Sequence, residues 1–127
     1  MKIFVYEICG ENVVFISEFG IAVGIWKDHI PPQKKEYYVE IAIEEEFSFE
    51  SIEVADKREP IIKEVDNDIV LAGELEEYEE DGCATLRLGP SLILIDTVYH
   101  KDFLSLVGKY ICVKAHDIYI YDEHIDW

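Results

Sequence analysis

The side chains of this chain that could do chemistry are three cysteines, four histidines and 28 carboxylates. Nucleophilic catalysis needs a Ser, Cys or Lys beside a base that a third group orients. No G-x-S-x-G elbow occurs, and Cys9, Cys83 and Cys112 stand far apart in the chain. Cys9 adjoins Gly10 in a turn, without a cationic neighbour in sequence that would lower its pKa. An odd set of thiols with no close spacing indicates neither a disulfide framework nor a zinc ribbon. All three are expected as reduced thiols packed like small hydrophobes.

Metal chemistry is no better supported. Asp66-Asn67-Asp68 begins like a calcium loop and Glu77 falls at its twelfth position, but Leu71 stands where the loop requires glycine. His116-Asp117 and the run Asp122-Glu123-His124-Ile125-Asp126 offer ligand atoms. Neighbours on a strand point to opposite faces, however, so that run reads as a solvated chain end. Asp96, after Leu92-Ile93-Leu94-Ile95, reads as the point where a strand leaves the core. Phosphate cradles need glycine-rich turns opening helices, and none occurs. No catalytic residue, metal or cofactor is expected.

Charge carries the strongest signal. The formal net charge of −17 far exceeds the magnitude of about 2 to 8 that keeps a small domain in solution. Such a charge repels phosphate backbones and anionic lipid, so neither nucleic acid nor a membrane surface is an expected partner. Tyr110, Tyr119 and Tyr121 could stack on bases, but from Tyr110 onward Lys114 is the only Lys or Arg. Residues 36–56 hold eight carboxylates and residues 64–82 nine, with no Lys or Arg in either stretch. The densest run comprises Glu74, Glu76, Glu77, Tyr78, Glu79, Glu80 and Asp81. These residues form either a solvated face or a surface matched to a basic protein, with Tyr78 as its aromatic anchor.

The elements that must carry these residues read as strands. Tyr37, Val39, Ile41 and Ile43 alternate with polar neighbours, as do Ile69, Leu71, Gly73 and Leu75, where Glu74 and Glu76 project the other way. Apolar runs between turn residues add Lys2 to Ile8, Asn12 to Glu18, Gly20 to Lys27, Cys83 to Leu88, Leu92 to Thr97, Tyr110 to Ala115 and Ile118 to Tyr121, about nine strands in all. Only residues 101–107 read as helical, with Asp102 as a cap and Gly108 as a stop. Residues 45–65 are ambiguous, and Pro60 argues for a loop there. No repeat or linker divides the chain, so residues 1–127 are expected as one all-β domain, an antiparallel barrel or sandwich. Its core should include Val39, Ile41, Leu71, Leu86, Leu94, Ile111 and Val113. No apolar run approaches the roughly 18 residues that span a bilayer, and the N-terminus lacks a signal-peptide pattern, so the cytoplasm is the expected compartment.

From Ile69 onward a long strand, an Asp-Gly turn, two strands, a short helical connection and two last strands resemble an oligonucleotide-binding (OB) fold in element order. In composition, a small acidic domain with an aromatic-studded carboxylate surface resembles the immunity proteins that bacteria make against their own toxins. That resemblance implies a non-catalytic inhibitor covering the basic cleft of a toxin or nuclease. An OB-like accessory module that binds another protein within a larger assembly is the alternative.

Overall fold

The computed structural model describes residues 1–124, in which β-strands are the dominant element. Three hairpin-linked strands open the chain, β1 (Lys2–Cys9), β2 (Asn12–Ser17) and β3 (Gly20–Trp26), followed by β4 (Glu36–Ala42). Two short strands come next, β5 (Glu46–Phe47) and β6 (Glu53–Val54), separated by a 3-10 turn at Phe49–Ser51. The second half holds β7 (Ile61–Val65), β8 (Asp68–Tyr78), β9 (Cys83–Leu88), β10 (Ser91–Thr97), a 3-10 turn at Lys101–Leu106, β11 (Tyr110–Ala115) and β12 (Tyr119–Asp122). The all-β class expected from the alternation is what the chain forms.

The nine strands read from the sequence are all present, and β5, β6 and β7 are additional. The hairpin of β7 and β8 is the least legible of these. Its turn is Asp66-Asn67, with φ of 52° and 68°, the doubly left-handed backbone of a type I′ turn that Asn and Asp tolerate. The residues that resemble the start of a calcium loop are therefore hairpin chemistry. Pro60 precedes β7 instead of interrupting it. The helical stretch 101–107 is a 3-10 turn capped by His100, whose Nδ1 accepts the Asp102 N–H at 3.1 Å.

Strands β1, β2, β3, β12 and β4 close a barrel in that order. A second, curled sheet runs β5, β10, β9, β8, β11, β6, with β7 alongside β8. The OB resemblance places its barrel in the C-terminal half. That half does follow the expected element order, but its last strand, β12, leaves to complete the N-terminal barrel. There it pairs parallel to β3 and antiparallel to β4.

One apolar core spans both sheets. Val39, Ile41, Leu71, Leu86, Ile111 and Val113 are buried as expected, but Leu94 is 59% exposed. The run Leu92-Ile93-Leu94-Ile95 contains no polar residue to reveal its phase. Pairing decides it: Ile93 opposes buried Leu86, whereas Leu94 opposes Thr85 on the outer face.

Candidate functional site: an acidic sheet face

The carboxylate run lies on β8 and the turn into β9, and a β-bulge decides where each side chain goes. Leu75 pairs with Leu86 and Glu77 with Thr85, so Glu76 is the extra residue. An inserted residue reverses the in-out phase of everything after it. Without it, Leu75, Glu77 and Glu79 would face the core and Tyr78 the solvent. With it, Tyr78 turns inward and Glu77 outward.

Tyr78 is thus not the free-standing anchor that the sequence suggests. Its ring stacks on Phe103 at 4.7 Å and on Tyr99 at 5.7 Å. Its hydroxyl lies 2.8 Å from Thr97 Oγ1 and accepts the His100 N–H at 3.2 Å. This half-buried tyrosine ties β8 to the end of β10 and to the second 3-10 turn.

The carboxylates divide into two groups. Glu74 and Glu76 are held by internal cations: Arg58 Nη2 meets Glu74 Oε1 at 3.3 Å, and Arg87 makes a two-pronged bond to Glu76 at 2.8 and 3.1 Å. Donation of these hydrogen bonds to Glu76 raises the Arg87 pKa, with the charge of Glu74 reinforcing it. Glu77, Glu79, Glu80 and Asp81 are exposed. Of these, Asp81 caps its own turn by accepting the Cys83 N–H at 2.9 Å.

Charge converges around Cys83. Partial burial pushes its thiol pKa up, and Asp81, Glu79 and Asp96 push it further. Asp96 sits opposite Cys83 on β10 and beside Glu46 on β5, so carboxylates from three segments meet at one edge. Burial likewise raises Cys112, helped by Glu53. Both thiols stay protonated at neutral pH, the reverse of an activated nucleophile. The expectation of three buried thiols is not met: Cys83 and Cys112 are half-buried, and Cys9 is exposed beside the first turn.

The C-terminal ligand candidates are better ordered than a solvated end. His124 Nε2 meets Asp28 Oδ1 at 2.8 Å and its backbone N–H donates to Asp122 Oδ1 at 2.8 Å. Burial opposes ionisation of Asp28, but the Ile30 N–H and His124 outweigh it and hold the carboxyl below its ordinary range. Asp28, Asp122 and His124 are the one set among the described residues whose ligand atoms lie within 4.8 Å of one another; Ile125 and Asp126 lie outside the described residues. A 280 Å³ cavity beside them is lined by Trp26, Tyr37 and Lys35. His116 Nδ1 meets Asp68 Oδ1 at 2.9 Å, and that bond, with Glu45 nearby, raises the imidazole pKa.

The tyrosines weighed as stacking groups are split between sheets. Tyr110 on β11 lies under Arg58, while Tyr119 on β12, in the other sheet, lies under Lys27. Sequence reading also misses an outward apolar pair, Leu92 and Leu94, exposed by 49% and 59% beside the acidic edge. Their run without polar residues is the available signal, and it reads equally as core. No helix among the described residues is long and apolar enough to cross a membrane. Compared with known proteins, the chain matches no family model, no curated protein and no solved structure.

Proposed function

We propose that this chain is a non-catalytic inhibitor of the immunity-protein kind, acting in the cytoplasm on a basic protein partner such as a toxin or nuclease, whose active-site cleft it covers. The observation that carries the reading is the grouping of exposed carboxylates that have no neutralising partner among the described residues. Glu77, Glu79 and Glu80 project from the β8–β9 hairpin next to Asp81, Asp96 and Glu46, while the nearby arginines are already engaged by Glu74 and Glu76. Like charges this close repel one another and raise the free energy of the isolated fold. A cationic surface relieves that repulsion, and the field accelerates the encounter before contact.

The test is co-expression with the product of the adjacent reading frame. Growth arrest by that product, relieved by this chain and not by the triple variant Glu77→Lys, Glu79→Lys, Glu80→Lys, is the expected result. A neighbour that is harmless alone and does not bind overturns the reading. With purified partner, association should slow steeply as salt shortens the Debye length to about 8 Å, while dissociation changes little.

A second reading, an accessory module within an assembly, draws on a different surface. Phe4, Ile16 and Ile21 are cross-strand neighbours on the outside of the closed barrel, exposed by 42, 42 and 52%. Loss of co-purifying subunits in an Ile16→Lys variant, with the acidic hairpin intact, would favour it.

A further inference from the structure

We infer that the cleft between β4 and β10 binds an extended segment of a basic partner, one in which apolar and cationic side chains alternate. The inference rests on the basic-partner reading above and names where and how that partner is gripped.

The cleft follows from pairing. Strand β10 is zipped to β9 along its length and to β5 only at Asp96 and Thr97. Strand β4 pairs with β12 from Val39 to Ala42, and with β1 only as far as Tyr38. Among the described residues, neither strand has a ladder partner on the side facing the other along Glu40–Ile43 and Leu92–Ile95. Phase fixes which backbone groups face that way. Thr97 N–H donates toward β9, to Gly82 O at 2.9 Å, so in an alternating ladder Leu92 and Leu94 aim their backbone groups away from β9. Val39 N–H donates to Met1 O at 2.8 Å, away from β12, and Ile41 has the same phase. At their closest approach the two strands leave no width for a further strand between them, so an extended chain lies over the seam, where the unpaired backbone groups and the side chains at the rim are offered to it.

Two cavities, of 380 and 280 Å³, lie along this seam and share Glu40, Ile41 and Leu92 in their walls. Buried Ile41, Ile43 and Ile93 form an apolar floor, and Leu92 and Leu94 stand exposed at the rim. Charge selects the occupant. Glu40, Asp96 and Glu123 line the cavities, and no Lys or Arg does. The Met1 ammonium at one end is bound to Val39 O at 2.8 Å. Arg87, which faces outward opposite Leu92, is held by Glu76. The cleft also opens at Cys83 onto the carboxylates of Glu79 and Asp81, so it continues the acidic hairpin. Alternate side chains of an extended peptide point to opposite sides. Its apolar set would pack on Leu92 and Leu94, and its cationic set would meet the carboxylate rims.

The probes are two capped ten-residue peptides of equal charge, one alternating Lys with Val and one alternating Lys with Ser, titrated into the isotopically labelled full chain. The Lys-Val peptide should perturb backbone amides of Glu40–Ile43 and Leu92–Asp96. It should bind about tenfold more tightly than the Lys-Ser peptide, a difference of about 1.4 kcal/mol. Leu92→Ser with Leu94→Ser should remove that advantage while leaving other amide positions unchanged, since both side chains are already exposed. Equal binding of the two peptides, centred on residues 74–81, would overturn the cleft and leave a basic partner standing. Binding of neither peptide at low salt would remove the cleft and the basic-partner reading together.

Discussion

The two halves of this molecule follow one plan with opposite outcomes. In the first, β1, β2 and β3 form a meander, β4 returns antiparallel to β1, and a fifth strand lies parallel to β3 and antiparallel to β4. In the second, β8, β9 and β10 form the meander, β11 returns antiparallel to β8, and β5 and β6 lie parallel to β10 and antiparallel to β11. The fifth strands are exchanged. The first half's barrel is closed by β12, from the far end of the chain, and the second half's sheet is bordered by β5 and β6, which follow β4. The first closes and the second does not. Strand β12 is an unbroken four-residue run pairing on both sides, whereas β5 and β6 are two residues each, broken by the Phe49–Ser51 turn. Closure depends on the continuity of the last strand as well as on strand number.

Exchange should make the halves fold as one unit, and the largest effects come from removing the exchanged contacts. Ile120 on β12 is fully buried, packed where Gly24 leaves room for it: a Cβ on Gly24 would collide with Ile120 Cδ1. Phe47 on β5 is buried in the other sheet. Ile120→Ala and Phe47→Ala should each cost about 2 to 5 kcal/mol, in a single urea transition seen alike by tryptophan fluorescence and far-ultraviolet circular dichroism. Two separated transitions, with each variant moving only one, would show that the exchange does not couple the halves.

The equivalent hairpin turns sharpen the comparison. Gly10, between β1 and β2, has φ of +62°, and a Cβ added there would meet nothing within 4 Å, so Gly10→Ala faces only backbone strain, about 1 kcal/mol. Gly82, between β8 and β9, has φ of +90° and a Cβ there would strike Thr97 O. Gly82→Ala should therefore cost clearly more, about 3 kcal/mol once the clash is added to the strain. Thermal melts of the two variants measure the difference, and equal losses would mean that β10 gives way freely. Tyr78→Phe should cost less, about 1 to 2 kcal/mol, because it leaves the His100 N–H without its acceptor, whereas the Thr97 hydroxyl keeps its bond to Gly82 O.

Alternation makes most of this fold legible, and its failures have local causes. Tyr37 to Ile43 can be phased from residues alone because polar and apolar types alternate. Leu92 to Ile95 cannot, which is why the expectation of a buried Leu94 fails. The Glu74–Asp81 run is legible as acidic but not in its facing, because the bulge at Glu76 has no residue signature: no glycine marks it. The cleft between β4 and β10 is hidden for another reason. It arises from which strands fail to pair across the chain, and no local pattern records that. The exchange of fifth strands is likewise silent in sequence, since β12 has the same residues whichever barrel it joins.

The smallest expected effects come from two carboxylate–histidine pairs, one in each half, and they carry opposite pH signs. His116, bonded to Asp68 on β8, has a raised pKa in the fold. Its contribution is therefore complete below the ordinary imidazole value and fades as pH rises through the raised one. Asp28, bonded to His124 beside β12, has a lowered pKa. Its contribution is complete above the ordinary carboxylate value and fades as pH falls through the lowered one. His116 is exposed and His124 half-exposed, so screening keeps either contribution small even though the Asp28 carboxyl itself is mostly covered. Asp68→Asn should remove stability near pH 6 and almost none near pH 9. Asp28→Asn should do so near neutrality and much less at the acid end. Proton NMR titration of the His116 ring checks the first directly: its midpoint should fall toward the ordinary value in Asp68→Asn. An unmoved midpoint would assign the raised pKa to Glu45 and the general negative field, and the 2.9 Å contact would then contribute nothing of its own.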